Sequence, residues 1–307
     1  MAKKTLRVLC AFVIFVNIMF GFLNIDKPSG MTSHDVVAKI RRRATQITGA
    51  EIKVGHAGTL DPMATGVLVV CLGAAARLSD YVMAETKRYR ARVHLGVTTD
   101  SEDADGAVTG TQPIDGVTEA DALATLPALM GEIAQIPPMV SAIKQGGRKL
   151  YELARAGQIV EREPRHVRID ALTLSEWQPP TFTLDVTCSA GTYIRSLGRD
   201  IGVALGVGAH LSALTRLASG DFTLENAISL ETLLAANEWG SYIMDARRAL
   251  AYLPTLTLNA ADVDAIQHGR SIRVAFVGEA LAYDESGTLI ALVRGDEGMC
   301  KPQKVFL

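Results

Sequence analysis

Between Gly55 and Leu68 the chain reads Gly-His-Ala-Gly-Thr-Leu-Asp-Pro-Met-Ala-Thr-Gly-Val-Leu, and no other stretch restricts the fold as tightly. Three glycines and a proline describe a shaped loop, and the apolar run Val67 to Leu72 behind it has the length of a strand. The loop therefore enters a buried strand. Pro62 disfavours the helical region at Asp61, which places that carboxylate on an extended or turn residue. A β-turn with Asp first and Pro second accounts for an isolated Asp-Pro pair. Small neighbours also let a ligand approach the backbone closely here.

Other segments supply partners for such a loop. Arg88 to Leu95 alternates, with Tyr89, Ala91, Val93 and Leu95 on one face and Arg88, Arg90, Arg92 and His94 on the other. Phe182, Leu184, Val186 and Cys188 repeat that period, and a helix is expected after Gly191. Arg195 then lies just beyond a strand, where it can pair with a carboxylate through its planar fork; an isolated arginine there is more often a structural ion-pair residue. Upstream, Gly21 to Ile25 reads as a strand and Asp26 to Gly30 as a turn. Thr32 or Ser33 caps a helix through Val36, Val37 and Ile40, with Arg41 to Arg43 at its end, a position the helix dipole favours. Ala74 to Ala84 has helical spacing, Thr98 to Gly106 is an acidic loop, and Thr118 to Ile133 reads as a helix. Pro254 to Leu307 reads as a small β-rich unit. Helices and strands mix without strict alternation, which predicts an α+β class.

Composition excludes several functions. A chain of 307 residues suggests about two domains. Lys and Arg total 31 against 33 Asp and Glu, so the net charge of −2 rules out a histone-like polycation but not a local phosphate-binding face. Cys10, Cys71, Cys188 and Cys300 form no C-x-x-C pair and fit a reducing compartment. The histidines show no metal-ligand spacing. Ser101 to Gly106 resembles a calcium loop, but Ser101 and Gln112 stand at its first and twelfth positions. Gly206 to Leu211 lacks the third glycine of a dinucleotide fingerprint. Spacing alone leaves several enzyme classes open.

The first residues conflict with the rest. Lys3, Lys4 and Arg7 precede an apolar run from Val8 to Phe20, in the manner of a secretory signal. The run is short for a membrane span, which needs about 20 residues. A cleaved signal, a membrane anchor and an upstream stretch outside the working protein compete. The Gly21 strand belongs to the fold, so we expect the working chain to begin near Met19 and to stay in the cytoplasm.

Taken together, the motifs resemble the TruB family of tRNA pseudouridine synthases. They are Gly21 to Ser33, the Gly-His-x-Gly-Thr-Leu-Asp-Pro loop, Lys87-Arg88-Tyr89, Gln135 to Lys144, Gly191 to Arg195, and Gly208-Ala209-His210. The resemblance covers the chain from Gly21 onward. It implies a pseudouridine synthase fold with a mixed, mainly antiparallel sheet and flanking helices, spanning 19–250, and a PUA-like RNA-binding domain at 254–307. Residues 1–18 have no counterpart. The implied reaction isomerises uridine 55 in the T-loop of tRNA, by a monomer that needs no metal and no nucleotide cofactor. The resemblance puts the catalytic aspartate on Asp61, the stacking tyrosine on Tyr89 and the pairing arginine on Arg195. Tyr193 and Leu214 would line the uracil pocket, and His56 would insert into the T-loop. Asp103 and Arg77 match positions beside flipped bases or phosphates. Two rivals remain, a non-catalytic RNA-binding protein on the same scaffold and a membrane-anchored or exported protein.

Overall fold

Apolar residues in two phases build the first strand, β1 (Gly21–Lys27): Leu23 and Ile25 face one layer of core while Phe22 faces another. The computed structural model describes residues 19–141, 143–158 and 160–306, so the apolar leader 1–18 lies outside them. Met19 is already buried in the core. Short β2 (Val54–Ala57) leads through the Asp61 loop into β3 (Thr65–Leu72), which is buried along nearly its whole length. β1 pairs antiparallel with one edge of β3, Ile25 opposite Leu68, and β2 pairs antiparallel with the other.

Five further strands complete the main run of the sheet: β4 (Lys87–Leu95), β5 (Gly131–Gln135), β6 (Arg165–Gln178), β7 (Thr181–Cys188) and β8 (Ala209–Ser219). The order is β1-β3-β8-β4-β7-β6-β5, with the bridge strand Ile228–Ser229 beyond β1. Pairing is antiparallel except at β3–β8 and β1–Ile228. At Gly66 a second strand closes in: a Cβ there would collide with the Arg216 carbonyl of β8, and φ of +91° independently requires glycine.

Helix α1 (Ser33–Thr48) starts in a reciprocal capping box. Thr32 Oγ1 accepts from the Asp35 N–H at 3.0 Å, and Asp35 accepts from the Thr32 N–H at 2.9 Å. Such a cap contributes about 1 kcal/mol. Its buried stripe of Val36, Val37, Ile40 and Ala44 lies on the same sheet face as Ile194, Leu197 and Ile201 of α2 (Ile194–Ala204). Tyr89, Ala91, Val93 and Leu95 point into that core, as the alternation predicts.

The opposite sheet face, with Phe22, Val67, Val69 and Cys71, carries a second sheet. Its strands are β9 (Thr255–Leu258), β10 (Ile272–Arg273), β11 (Gly278–Asp284), β12 (Leu289–Asp296) and β13 (Met299–Val305), in the order β9-β11-β12-β13-β10. Leu281, Leu289 and Leu292 meet the larger sheet, while Ile266 of α3 (Ala260–Gln267) closes a small core with Ala280 and Val293.

Three local readings need correction. The helix expected over Thr118 to Ile133 is α-helical only at Glu119–Thr125 and tightens into a 3-10 turn at Leu126–Leu129. Pro127 removes a backbone donor there, and Gly131 starts edge strand β5. Ala74 to Ala84 divides between a 3-10 helix at Gly73–Leu78 and a short helix at Ser79–Met83. Arg41 to Arg43 lie inside α1, which runs on to a left-handed Gly49 cap. Arg41 donates to the Val54 carbonyl at 2.9 Å, and Arg43 donates to Asn237 at 2.8 Å and to the Ala236 carbonyl at 3.0 Å. Two of these three arginines therefore join neighbouring segments.

Candidate active site

The loop between β2 and β3 is held from below by backbone-seeking side chains. Ser33 Oγ accepts from the Leu60 N–H at 2.8 Å and donates to its carbonyl at 3.0 Å. Lys27, fully buried at the end of β1, donates to the Pro62 carbonyl at 3.2 Å. Arg216, also fully buried, donates to the carbonyls of Gly58 at 3.1 Å and Val67 at 2.6 Å, on either side of Asp61. The Ala64 N–H reaches the Asp61 carbonyl at 3.1 Å, so Asp61 does begin a tight turn. The turn engages its backbone and leaves its carboxylate free to act elsewhere.

That carboxylate meets Arg195 from the first turn of α2. Arg195 Nε lies 2.9 Å from Oδ2 of Asp61, and Nη2 donates to Oδ1 at 3.1 Å, a bidentate fork. The remaining guanidinium donors are also used. Nη1 donates to the Ser101 carbonyl at 2.9 Å and lies 3.3 Å from Asp103 Oδ2, while Nη2 reaches the Val140 carbonyl at 2.8 Å. Asp103 is itself braced by Ser101 Oγ at 2.5 Å and the Asp105 N–H at 3.1 Å. The side chains of Arg195 and Asp103 are 5% and 6% exposed, whereas Asp61 keeps 32%. Two carboxylates thus flank one buried cation, and only Asp61 opens outward.

It opens into a cavity of about 280 Å³. Gly58 to Asp61 form one wall, Lys87, Tyr89, Leu214 and Arg216 the sheet side, and Ala190 to Arg195 the opposite side. Gln135, almost fully buried at the end of β5, fixes that last segment. Its amide accepts from the Tyr193 N–H at 2.8 Å and donates to the Tyr193 carbonyl at 3.0 Å. Burial raises the Asp61 carboxyl above the ordinary aspartate value; Arg195 opposes the rise, and Asp103 and Asp105 add to it. Burial likewise raises the hydroxyls of Tyr89 and Tyr193 and lowers Lys27 and Lys87 to about 8.

The sequence reading thus converges on one place for Asp61, Tyr89, Tyr193, Arg195 and Leu214, with Asp103 directly behind Arg195. His56 sits on β2 beside the loop, outside the cavity wall, with a buried Nδ1 that has no hydrogen-bond partner. Burial lowers its imidazole, aided by the charges of His34 and Arg216. Arg77 is elsewhere. Its guanidinium donates to the Val305 carbonyl and stands 5.5 Å from the Phe306 ring centroid, joining the 3-10 helix after β3 to the end of the second sheet. Sequence reasoning missed Lys27, Lys87, Arg216 and Gln135 as site residues. A signal existed for two of them: Lys27 continues the buried phase of Leu23 and Ile25, and Lys87 that of Tyr89 and Ala91.

A family model described as "TruB family pseudouridylate synthase (N terminal domain)" matches residues 42–194, and "tRNA pseudouridylate synthase B C-terminal domain" matches 195–254. The chain is 44% identical over 290 residues to "tRNA pseudouridine synthase B" of Thiobacillus denitrificans, covering 93% of this chain and 95% of that one. The chain belongs to the TruB family. A relative of the same name from Microcystis aeruginosa is 46% identical over 259 residues, covering 83% and 85% of the two chains. Among solved structures, a Cbf5-Nop10-Gar1 complex superposes with a TM-score of 0.71 at 29% identity, over 94% of this chain and 86% of that chain. An H/ACA RNP bound to a substrate RNA containing 2′-deoxyuridine gives 0.68 at 28% identity, with the same coverage. The TruB chain is therefore a pseudouridine synthase with an α+β fold. Among its described residues, no group of three or more His, Cys, Asp and Glu side chains is placed to hold a metal ion, and no helix is long and apolar enough to cross a membrane.

Proposed function

We propose that this chain isomerises uridine to pseudouridine at position 55 in the T-loop of tRNA, with Asp61 as the reacting carboxylate. The observation that carries the reading is the bidentate Arg195–Asp61 pair at the mouth of a base-sized cavity beside Tyr89. The tRNA substrate follows from the name shared by relatives at 44% and 46% identity. In the reaction the N1–C1′ bond breaks, the uracil turns, C5 joins C1′, and the C5 proton is released as N1 regains one. Atoms and electrons balance without an external oxidant. Asp61 acts as nucleophile or base, and Arg195 keeps it ionised and aimed.

The target base has to leave its stack, which costs a few kcal/mol. A tyrosine platform returns about 1–3 kcal/mol per base, so Tyr89 offsets much of that. Tyr193 and Leu214 complete the pocket, and His56 fills the place the base has left. Asp103 acts through Arg195, and Arg77 serves the junction with the 254–307 unit, which we read as a PUA-like tRNA-binding domain. The working enzyme is a cytoplasmic monomer that begins near Met19. The non-catalytic alternative accounts for the buried Arg195 network as a structural ion pair but not for an Asp61 carboxylate left open to the cavity.

The test is purified protein with unmodified tRNA, mapping pseudouridine by position. Formation at 55 supports the reading; formation elsewhere, or none, overturns it. Within that assay, Tyr89→Phe is expected to stay within about tenfold of wild type, and Tyr89→Leu to fall further as stacking is lost. The reverse order would assign the role to the hydroxyl.

A further inference from the structure

Glu102 and Glu297 are the non-glycine residues with a left-handed backbone among the described residues, Glu102 at φ +65°. A side chain disfavours that conformation, which persists where the surroundings hold it. Around Glu102 two elements do so. Its carbonyl accepts from the Leu211 N–H of β8 at 3.0 Å. Its carboxylate accepts from Ser196 Oγ at 2.9 Å and from Arg199 Nη1 at 2.5 Å, both on α2. Arg199 in turn donates to the Ile136 carbonyl at 3.1 Å.

The residues on either side of Glu102 are the partners of Arg195: the Ser101 carbonyl and the Asp103 carboxylate both face Nη1. Arg195 and Arg199 stand one turn apart on the same helix face. The acidic loop thus grips α2 at two levels, and the level away from the cavity consists of Glu102. With side chains 11% and 24% exposed, Glu102 and Arg199 are shielded enough for their pairing to constrain geometry.

We propose that Glu102 is a positioning residue, tying the acidic loop to Ser196 and Arg199 so that Ser101 and Asp103 hold the Arg195 fork square to Asp61. The proposal rests on the Asp61 reading above. The informative variant is Glu102→Gly, because glycine relieves the left-handed backbone while deleting the carboxylate. A residue kept only for its backbone shape would tolerate it. Loosening Arg195 instead misplaces Asp61, so kcat is expected to fall roughly tenfold with the tRNA KM little changed.

The acid limb of kcat is expected to move to higher pH as well. Asp61 is faced by Arg195 from α2, Asp103 and Asp105 from the loop, Lys27 from β1, and the hydroxyls of Tyr89 and Tyr193. Arg195 is the strongest of these in favouring the ionised carboxylate. Glu102→Gln keeps the backbone and shape, removes the charge, and should show a smaller shift in the same direction. Unchanged kcat and an unmoved limb in both variants would overturn the proposal. So would a loss of kcat that tracks a lower Tm with the limb unmoved. Asp61→Asn run alongside separates the two claims: if that variant is active the Asp61 reading fails, and if it is inactive while both Glu102 variants match wild type, this proposal alone fails.

Discussion

Asp61→Asn is expected to bring pseudouridine formation down to background, several powers of ten below wild type, with each factor of ten worth about 1.4 kcal/mol of barrier. Asparagine keeps size and polarity but can act neither as nucleophile nor as base. The turn itself should survive, because its hydrogen bond runs from the Ala64 N–H to the Asp61 backbone carbonyl. Loop position should survive too, being set by Ser33, Lys27 and Arg216 through backbone carbonyls. Affinity for tRNA should therefore change far less than turnover. If Asp61 were only a turn residue, asparagine would serve nearly as well, and near-wild-type turnover would reject its catalytic role. The wild-type pH profile adds a second check. Burial raises the pKa of Asp61, so if the reaction uses its ionised carboxylate, as proposed, kcat should fall with decreasing pH at a value above the ordinary aspartate range.

Arg195→Lys is expected to lower kcat by roughly a hundredfold, although the charge is retained. The guanidinium reaches Asp61 through two nitrogens, and it also serves Ser101, Asp103 and Val140. An ammonium has three donors and no planar fork, so it cannot satisfy this set. Each buried acceptor left without a partner costs about 1–3 kcal/mol, so the thermal midpoint should drop as well. The acid limb of kcat should shift upward, since Asp61 loses part of what favours its ionised form. Full activity in the lysine variant would show that charge alone suffices and that the fork geometry is incidental.

Much of the scaffold was legible in the chain. The alternation at 88–95 and 182–188 is realised in β4 and β7, because a period of two leaves one face to bury. Thr32 with Asp35 starts α1 where a capping pair should. The loop before β3 was legible because proline fixes its own φ and glycine readily takes the left-handed φ seen at Gly58 and Gly66, whatever surrounds them. The end of α1 is written at Gly49, whose left-handed cap is a local stop, and not at the basic run Arg41 to Arg43, where nothing stops a helix. The helix read over 118–133 failed because Pro127 and Gly131 interrupt its spacing locally, and Ile133 pairs instead with Val167 on β6.

The amino-acid sequence by itself determined the elements with a local cause, namely strand phase, helix caps, the Asp61 turn and the residue types a carboxylate site would need. Tertiary structure decided which of those residues meet. Asp61 and Arg195 are 134 positions apart, and their fork exists because β3 and α2 are brought to one end of one sheet face. The same holds for Arg77, drawn to Val305 at a separation of 228 residues instead of to the cavity. It holds for Lys27, Lys87 and Arg216 too, whose burial depends on what lies over their strands. Backbone preference acts over a few residues, whereas burial and hydrogen-bond partnership are set by contacts across the whole fold, so the chemistry of the site could be read from sequence only as a set of parts.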